Sequence, residues 1–371
     1  MIRILQVVTY MGRGGLETML MNYYRNIDRS KIQFDFLVHR DFRADYDDEI
    51  ESMGGIIYHL PRLNPFSVTY RKELKNFFVE HPEYRVIHVH QDCMSSVILK
   101  VAKECGVKVR IAHSHNANQD KNLKYVIKLF YRFFIPMYAT NLFACSQDAG
   151  EWMYRKHEFQ ILNNAIDAQE YRFNFVTREK VRKRFDIKKD VLLVGHVGRF
   201  SYQKNHIFLL DIFNDLQKNR NAKLMLIGGK SLKPEDATLM DDIKKKVHML
   251  GLDEKVIFAG VCDNVPEMMQ AMDVFILPSH YEGLGIVTVE AQAAGLPCVI
   301  SDVLPDECIV TDNVKKIPLT ADASVWANAV CELSNYKRGD TFEKIKEKGF
   351  DIVENAVKLQ RYYLDIAGEK A

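Results

Sequence analysis

Residues 273–301, DVFILPSHYEGLGIVTVEAQAAGLPCVIS, contain the pattern that decides the fold. An apolar run at 273–277 is followed by a turn with two glycines, a segment of helical spacing at 286–294, and a second apolar run at 297–301. Two short β-branched runs separated by a helix are typical of parallel strands joined by a crossover helix. The stretch therefore predicts one β-α-β unit, with its glycine turn at the carboxyl end of the first strand.

The same alternation continues through both halves of the chain. Further strand-like runs lie at 2–8, 33–38, 56–60, 85–90, 108–113, 141–145, 191–197, 223–228 and 255–260. Helical patterns lie between them at 16–26, 67–80, 95–105, 122–138 and 177–185. This order predicts an α/β fold class, with two doubly wound Rossmann-like domains that face a cleft at the carboxyl ends of their strands.

The domain boundary is predicted where the Asn163–Asp167 junction leads into the basic helix at 177–185. We therefore expect domains at 1–170 and 171–349. A helical pattern at 343–365 is expected to form one long terminal helix. Its end, about 350–371, is a candidate for packing against the first domain.

Composition limits the classes of function. The 371 residues include 51 Lys and Arg against 49 Asp and Glu, a net charge of +2, with 47% hydrophobic residues. This balance argues against a disordered chain and against a nucleic-acid binder. The seven cysteines are widely spaced without a CxxC pair, which predicts reduced thiols in a cytoplasmic protein. No run of about 18 apolar residues occurs, so no membrane span is predicted.

Two carboxylates in the opening stretch can bind sugar hydroxyls. Gly283 and Gly285 precede the helix, whose first backbone N–H groups can bind an anion. Glu282 and Glu290 can accept hydrogen bonds from hydroxyls of two sugar rings on either side of a diphosphate. The alternative is an ordinary loop charge at Glu282 and a solvated helix residue at Glu290.

Two other glycine-containing turns suit an anionic ligand. Residues 198–205, GRFSYQKN, place the cations Arg199 and Lys204 at a strand end, where a diphosphate binds in doubly wound domains. Residues 12–17, GRGGLE, form a turn that opens a helix, but Glu17 replaces the third glycine of GxGxxG and counts against NAD. The alternatives are a pair of surface cations and a tight strand-to-helix turn.

In combination, these elements resemble the retaining glycosyltransferases of the GT-B fold, glycosyltransferase family four, over nearly the whole chain. The Glu282-x7-Glu290 pair, the Gly198-Arg199…Lys204 loop, the Gly14-Gly15-x-Glu17 turn and the Asn164–Asp167 junction occur in that family's order. The segment 112–116, AHSHN, is similar to that of bacterial transferases that build capsular polysaccharide or exopolysaccharide.

The resemblance implies a retaining hexosyltransferase that uses a nucleotide-sugar donor, with a UDP-sugar expected, in surface polysaccharide biosynthesis. The acceptor, a saccharide or lipid-linked saccharide, would bind domain 1–170, and the donor would bind domain 171–349. No cofactor, metal or nucleic acid is expected. The Asp45-Tyr46-Asp47 sequence matches a metal-binding DxD, but it lies in an acidic run at 41–51 that is interpreted as solvated.

The resemblance also implies roles for individual residues. Arg199 and Lys204 would stabilise the departing diphosphate, Glu282 would contact the transferred sugar, and His113 would lie near the reacting centre. We favour His113 over His115 because it follows the apolar run first; the alternative for both is a capped loop histidine. The expected substrate-binding positions are Gly14, Gly15, Glu17, His115, Asn164, Val261, Gly283, Leu284, Gly285, Ile286 and Glu290.

A local basic stretch bears on the membrane. Within 121–134, Lys121, Lys124, Lys128 and Arg132 share one helical face and aromatic residues lie elsewhere. This pattern fits either a helix on the anionic inner face of the cell membrane or a helix that packs its aromatic face on its own domain. Two other functions remain open at this stage: a sugar-nucleotide epimerase of similar architecture, and a non-catalytic sugar-nucleotide-binding subunit.

Overall fold

The computed structural model describes residues 1–116, 124–231, 234–262 and 264–368. The chain forms two compact units. Unit 1 contains Met1–Ile166 and Asp351–Ala371, and unit 2 contains Asp167–Phe350. The first crossing between the units thus lies at 166/167, four residues before the expected boundary, and the second lies at 350/351.

The elements up to residue 166 alternate as the sequence suggests. They are β1 Ile2–Val7, α1 Gly15–Asn26, β2 Ile32–Val38, α2 Asp47–Ser52, β3 Ile57–His59, α3 Val68–Glu80, β4 Val86–Val89, α4 Ser95–Glu104, β5 Val109–Ser114, α5 Lys124–Phe133, α6 Ile135–Tyr138, β6 Asn141–Ala144, α7 Gln147–Tyr154 and β7 Gln160–Ile161.

The elements from residue 167 onward follow the same scheme. They are α8 Ala168–Tyr171, α9 Phe175–Arg184, β8 Leu192–Val197, α10 His206–Gln217, β9 Ala222–Ile227, α11 Leu239–Met249, β10 Val256–Gly260, α12 Val265–Ala271, β11 Val274–Leu277, α13 Ile286–Ala293, β12 Cys298–Ser301, β13 Val314–Ile317, α14 Ala323–Leu333, α15 Phe342–Glu347 and α16 Ile352–Ala367.

Each unit is built on a parallel sheet. Among the described residues, the strand order is β3-β2-β1-β4-β5-β6-β7 in unit 1 and β10-β9-β8-β11-β12-β13 in unit 2. All registered strand pairs are parallel. The predicted fold class of two doubly wound domains is therefore confirmed. The sequence prediction missed β7 and β13, which are short and lie at sheet edges.

The prediction of one helix over 343–365 is wrong, because the chain breaks it into α15 and α16. Gly349 has a left-handed φ of +77°, and the Phe350 N–H returns to the Ile345 carbonyl at 3.0 Å. This geometry ends α15 in the way typical of a glycine C-cap. Asp351 then caps the start of α16 through the Glu354 amide.

Helix α16 belongs to the core of unit 1. Its Ile352, Leu359 and Tyr363 are buried in one apolar cluster with residues of β1, β2 and α1. The Ile352 N–H donates to the Ile166 carbonyl at 2.9 Å, so the two chain crossings lie side by side. Burial of this apolar face holds the end of the chain on unit 1.

The strand order places a switch point in each sheet. In unit 1 the chain turns outward in opposite directions from β1 and β4, and in unit 2 from β8 and β11. Ligands of doubly wound domains bind at the carboxyl ends of strands at such a point. The loops after β1, β4, β8 and β11 are therefore where a site is expected.

All seven cysteines lie in the described residues as free thiols, in agreement with the prediction of reduced thiols. Within the same residues, the helices are too short or too polar for any of them to cross a bilayer.

Candidate functional site

An ion pair joins the loops that follow β8 and β11 in unit 2. The Lys204 Nζ donates to Glu282 Oε1 at 2.7 Å, and the two side chains are only 14% and 9% exposed. Ser279 Oγ donates to the same carboxylate oxygen at 2.7 Å. Gln203 Nε2 donates to the other oxygen at 3.1 Å. The carboxylate of Glu282 thus has three side-chain donors, and the cation of Lys204 is held at the switch point.

Glycines allow the backbone to approach this ion pair. A Cβ atom on Gly198 would lie 2.8 Å from Cε of Lys204, so a side chain there would displace the lysine. Gly285 has a φ of +76°, and its Cβ would lie 2.8 Å from Cδ2 of Leu304. Gly285 is also the N-cap of α13 and contributes no side-chain cap. The first backbone amides of α13, beginning at Ile286, therefore have no side-chain cap. They follow directly on the loop that contains Gly283 and Leu284.

Glu290 lies on α13, with 7% of its surface exposed. Burial raises the pKa of its carboxyl to about 7, while a hydrogen bond with the Tyr171 side chain and the charge of Lys204 act in the opposite direction. The interaction with Lys204 shows that the structure brings Lys204, Glu282 and Glu290 together. Glu290 is not the solvated helix residue of the alternative interpretation.

Two other expected donor-site positions lie at the ends of nearby strands. Arg199 follows β8 and is exposed. Val261 follows β10, with 57% of its surface exposed. The Gly260 carbonyl accepts from the Gly228 N–H at 2.8 Å. Strand β9 lies between β8 and β10, so Arg199 and Val261 flank the end of that strand.

In unit 1, the glycine turn after β1 leads directly into α1. Gly14 is the N-cap in extended conformation, without a side-chain cap, and Gly15 is the first helical residue. Glu17, in the first turn, is buried. The Asn164 side chain is 8% exposed, and its Oδ1 accepts no hydrogen bond from the described residues. The carbonyl of the neighbouring Asn163 accepts from the Tyr23 hydroxyl at 2.7 Å, which ties this junction to α1.

Four histidines cluster at the ends of β4 and β5. The ring centroids of His88 and His90 are 4.3 Å apart, and those of His113 and His115 are 4.0 Å apart. Because β4 and β5 are neighbours and side chains alternate along a strand, these four residues share one face of the sheet. Burial lowers the pKa of all four rings, that of His115 to about 3.

A chain of hydrogen bonds fixes the proton positions in this cluster. The His90 Nε2 lies 2.9 Å from the Gln6 Oε1, which can only accept. The Gln6 Nε2 donates to the Tyr363 hydroxyl at 3.3 Å, and that hydroxyl is hydrogen-bonded to His88 Nδ1 at 2.6 Å. The neutral His90 therefore accepts at Nδ1 from His115 Nε2 at 2.8 Å. This arrangement leaves His115 Nδ1 as an acceptor.

The structure describes both His113 and His115 without deciding between them. His113 is 1% exposed, and neither of its ring nitrogens has a hydrogen-bond partner in the described residues. His115 is partly exposed at the strand end. The Nδ1 of His115 is also buried without a partner among the described residues, and its Nε2 is bonded to His90, so both histidines stay candidates for a substrate contact.

Two sets of side chains could suggest a metal. Nitrogens of His88, His90 and His113 lie within 4.8 Å of one another, but both nitrogens of His90 are already hydrogen-bonded. In the acidic run, Asp45 accepts from the Arg13 amide and Asp47 accepts from the Ala44 amide. Asp47 is buried, so the expectation that the whole run is solvated is wrong.

Of the basic face expected within 121–134, the structure describes the side chains of Lys128 and Arg132. Lys121 lies outside the described residues, as does the side chain of Lys124. Arg132 packs over the Trp152 ring, 4.9 Å from its centroid, and donates to the Trp152 carbonyl at 2.7 Å. Among the described side chains of α5, the most exposed are apolar: Val126 at 72%, Phe130 at 60% and Phe133 at 65%.

A family model described as glycosyl transferases group 1 matches residues 177–369, which are 193 of the 371 residues. The chain belongs to the glycosyl transferases group 1 family. The match covers nearly all of unit 2, including the loops that hold Lys204 and Glu282.

Curated relatives of this glycosyl transferases group 1 member match along most of the chain. EpsF of Bacillus subtilis (strain 168), a provisionally named glycosyltransferase, is 34% identical over 99% of this chain and 97% of its own. The capsular polysaccharide biosynthesis glycosyltransferase CapH of Staphylococcus aureus is 25% identical over 98% and 99%. The Escherichia coli UDP-Gal:α-D-GlcNAc-diphosphoundecaprenol α-1,3-galactosyltransferase is 22% identical over 78% and 77%.

Solved structures confirm the fold of the family member. HepE of Anabaena, in complex with UDP and glucose, has a TM-score of 0.76 at 17% identity, over 99% of this chain and 97% of HepE. WaaG, a glycosyltransferase involved in lipopolysaccharide biosynthesis, has a TM-score of 0.65 at 18% identity, over 98% and 95%. These structural neighbours are glycosyltransferases of the GT-B fold.

Sequence reasoning missed several contacts in this group 1 glycosyltransferase. Gln203 and Ser279 lie in the two stretches that drew attention, and as polar neighbours of Lys204 and Glu282 they could have been noticed. Tyr171 and Tyr363 carry no local signal, because each reaches its partner through the fold: Tyr171 bonds Glu290, and Tyr363 bonds a histidine 275 positions earlier.

Substitution of Tyr363 by phenylalanine tests the hydrogen-bond chain. Tyr363→Phe leaves Gln6 Nε2 and His88 Nδ1 buried without this partner, so the free energy of unfolding should fall by about 1–3 kcal/mol. The adjacent Tyr362→Phe is the matched control, since Tyr362 accepts only from Asn141 in a half-buried position. Urea denaturation compares the two variants. Equal losses in both would contradict the assigned network.

Proposed function

We propose that the protein is a retaining, metal-independent hexosyltransferase of glycosyltransferase family four. In this proposal it uses a UDP-sugar donor and a saccharide or lipid-linked saccharide acceptor in the synthesis of a surface polysaccharide. The observation that carries the proposal is the buried Lys204–Glu282 pair beside Glu290 at the switch point of unit 2. The names of CapH and the diphosphoundecaprenol-dependent galactosyltransferase support the acceptor class, and the ligands of HepE support UDP.

The proposed chemistry follows from these charges. As the bond between the anomeric carbon and the β-phosphate oxygen breaks, negative charge grows on the diphosphate, and Lys204 and Arg199 stabilise it. The amides at the start of α13 add fixed donors. Glu290 accepts hydrogen bonds from the ribose hydroxyls. Glu282 orients Lys204 and contacts hydroxyls of the transferred sugar.

Retention requires no protein nucleophile in this mechanism. The acceptor oxygen forms its bond on the face from which the diphosphate leaves, and a departing phosphate oxygen takes the proton of the acceptor hydroxyl. His113 or His115, at the end of β5, orients a hydroxyl group. The epimerase and the non-catalytic alternatives are less favoured, because the family and the intact charged pair both suit transfer.

Nucleotide binding tests the proposal. UDP at about 100 times its Kd should raise Tm by about 5 °C or more, because binding stabilises the folded unit, whereas GDP and ADP should raise it less. A panel of nucleotide sugars then identifies the donor by UDP release, which should persist in EDTA. If none of the three nucleotides raises Tm, the donor site is misassigned. Loss of UDP release in EDTA would contradict metal independence.

A further inference from the structure

Helices α3, α4, α5 and α6 of unit 1 enclose a groove of about 510 Å³. The chemistry of its lining differs from one side to the other. Cations line it from α3 and α4: Arg71, Lys72, Lys75 and Lys100. Aromatic side chains line it from the region of α5 and α6: Phe130, Tyr131, Phe134 and Tyr138.

The cations of the groove suit an anionic ligand. All four are exposed, and within the described ranges no carboxylate forms an ion pair with any of them. Arg71 also donates to the Pro65 carbonyl at 2.7 Å. Glu104 is the acidic residue of the lining, so four positive charges face one negative charge. Such a set attracts a phosphate or diphosphate.

The aromatic side of the groove continues into an exposed apolar surface. Phe133 is 65% exposed and Met137 is 55% exposed. Across the groove, Phe66 is 70% exposed and Val68 is 80% exposed, and the rings of Phe66 and Tyr131 are 6.4 Å apart. A continuous apolar surface beside cations is typical of a site for an amphiphile, since apolar area left in water is costly.

One end of the groove lies at the sheet edge that carries the histidines. Ser96 and Val97, in the first turn of α4, belong to its lining. Strand β4 runs into α4 through His90 and Gln91, and the Gln91 amide donates to Ser95 Oγ at 3.2 Å. A head group at this end would therefore lie near the carboxyl end of β4.

We propose that this groove binds the lipid carrier of the acceptor, a long-chain polyprenyl diphosphate. The proposal rests on the proposed function and names the acceptor class of that site. The cations on α3 and α4 bind the diphosphate, and the aromatic side chains of α5 and α6 pack against the first units of the hydrocarbon chain. The sugar linked to the diphosphate then lies at the end of the groove formed by Ser96 and Val97. A groove between four helices, lined by rings, suits a single chain better than the flat surface of a bilayer does.

Binding of farnesyl diphosphate, a short polyprenyl diphosphate, tests this site on the full chain by isothermal titration. The triple variant Lys72→Glu, Lys75→Glu, Lys100→Glu should weaken binding by about 10- to 100-fold, as three attractive charges become repulsive. Phe130→Ser should weaken it by about tenfold. The matched control reverses three exposed lysines of unit 1 that lie outside the groove, Lys31, Lys156 and Lys358, and should bind as the parent does.

Competitors identify the occupant. Inorganic pyrophosphate and farnesol should each bind at least tenfold more weakly than farnesyl diphosphate, because each offers half of the contacts. Equal binding of pyrophosphate would overturn the lipid part of the proposal. Unchanged binding of farnesyl diphosphate by the triple variant would show that the groove is not its binding site. If the triple variant loses only its binding to anionic phospholipid vesicles, the surface docks on a bilayer and the carrier proposal is wrong.

The Tm shift with UDP separates this proposal from the proposed function, because it reports on the donor site of unit 2. If the parent protein does not bind farnesyl diphosphate but shows the normal Tm shift with UDP, the groove is not a carrier site and the transferase proposal still stands. A normal response to farnesyl diphosphate without any response to UDP would contradict the donor site instead.

Discussion

Substitution of Lys204 by alanine is expected to lower kcat/KM for sugar transfer by about 10²- to 10³-fold, the usual cost of removing one preorganised donor to a developing negative charge. Lys204 has the position for this role, since it is held at the carboxyl end of β8 by Glu282. In the proposed reaction, the diphosphate gains charge as it leaves, and the loss of the cation raises the barrier more than it weakens binding of the donor. Steady-state kinetics with the donor identified by UDP release measures the effect.

The structure supplies controls for this experiment. Lys204→Ala also leaves Glu282 buried without its cation, which costs stability. The double variant Lys204→Ala, Glu282→Gln relieves that stranded charge, so it should recover Tm without recovering activity. Lys218→Ala removes an exposed lysine of unit 2 that pairs with Asp215, and its kcat/KM should stay within about twofold of the parent. Recovered activity in the double variant would reduce Lys204 to a structural role.

The proximity of Lys204 and Glu282 could be predicted from the sequence, although 78 positions separate them. Alternating strands and helices predict parallel sheets, and glycine turns after two strands predict loops at one edge. Their pairing with each other could not be predicted. The sequence suggested separate ligands for the two side chains, whereas the unliganded geometry joins them and adds Ser279 and Gln203 as donors to Glu282.

The histidines show a second limit of sequence reasoning. Alternation along a strand already places His113 and His115 on one face, but it contains no information on depth. The cluster also includes a contact with no local signal, because α16 brings Tyr363 from the end of the chain to bond His88. The same applies to α5: the helix itself was predicted, but the sequence did not indicate that Arg132 turns inward to Trp152. Long-range packing decides both cases.

Glu290 is expected to make UDP affinity depend on pH near neutrality. Its pKa of about 7 means that the carboxyl is largely protonated at pH 6 and largely ionised at pH 8. An ionised carboxylate accepts on both oxygens, whereas a protonated one loses acceptor capacity for the proposed ribose hydroxyls. UDP affinity should therefore rise up to about tenfold from pH 6 to pH 8. The Glu290→Gln variant should bind UDP more weakly than the parent at pH 8. Any remaining change of its UDP affinity with pH comes from the terminal phosphate of UDP, which titrates near pH 6.

The same titration predicts the pH dependence of stability. The pKa of Glu290 is raised from 4.5 to about 7 on folding. Below about pH 4.5 both states carry the proton; as the pH rises to about 7, the unfolded state loses it while the folded state keeps it. The contribution of the protonated Glu290 to the free energy of unfolding is therefore fully present below pH 4.5. It is lost as the pH rises through the folded pKa, by about 3 kcal/mol in all. Tyr171 and Lys204 only reduce this loss.

Glu290→Gln has no carboxyl to titrate at this position, so its free energy of unfolding should not show that loss. Urea denaturation at pH 5 and pH 8 measures the free energy of unfolding for the transition that UDP shifts. The difference between the variant and the parent in this free energy should favour the variant more at pH 8 than at pH 5. The exposed Glu254→Gln serves as the control and should follow the parent at both pH values. Parallel pH profiles for the parent and Glu290→Gln would mean that Glu290 does not titrate near neutrality. A change in UDP affinity with pH would then have to come from the ligand.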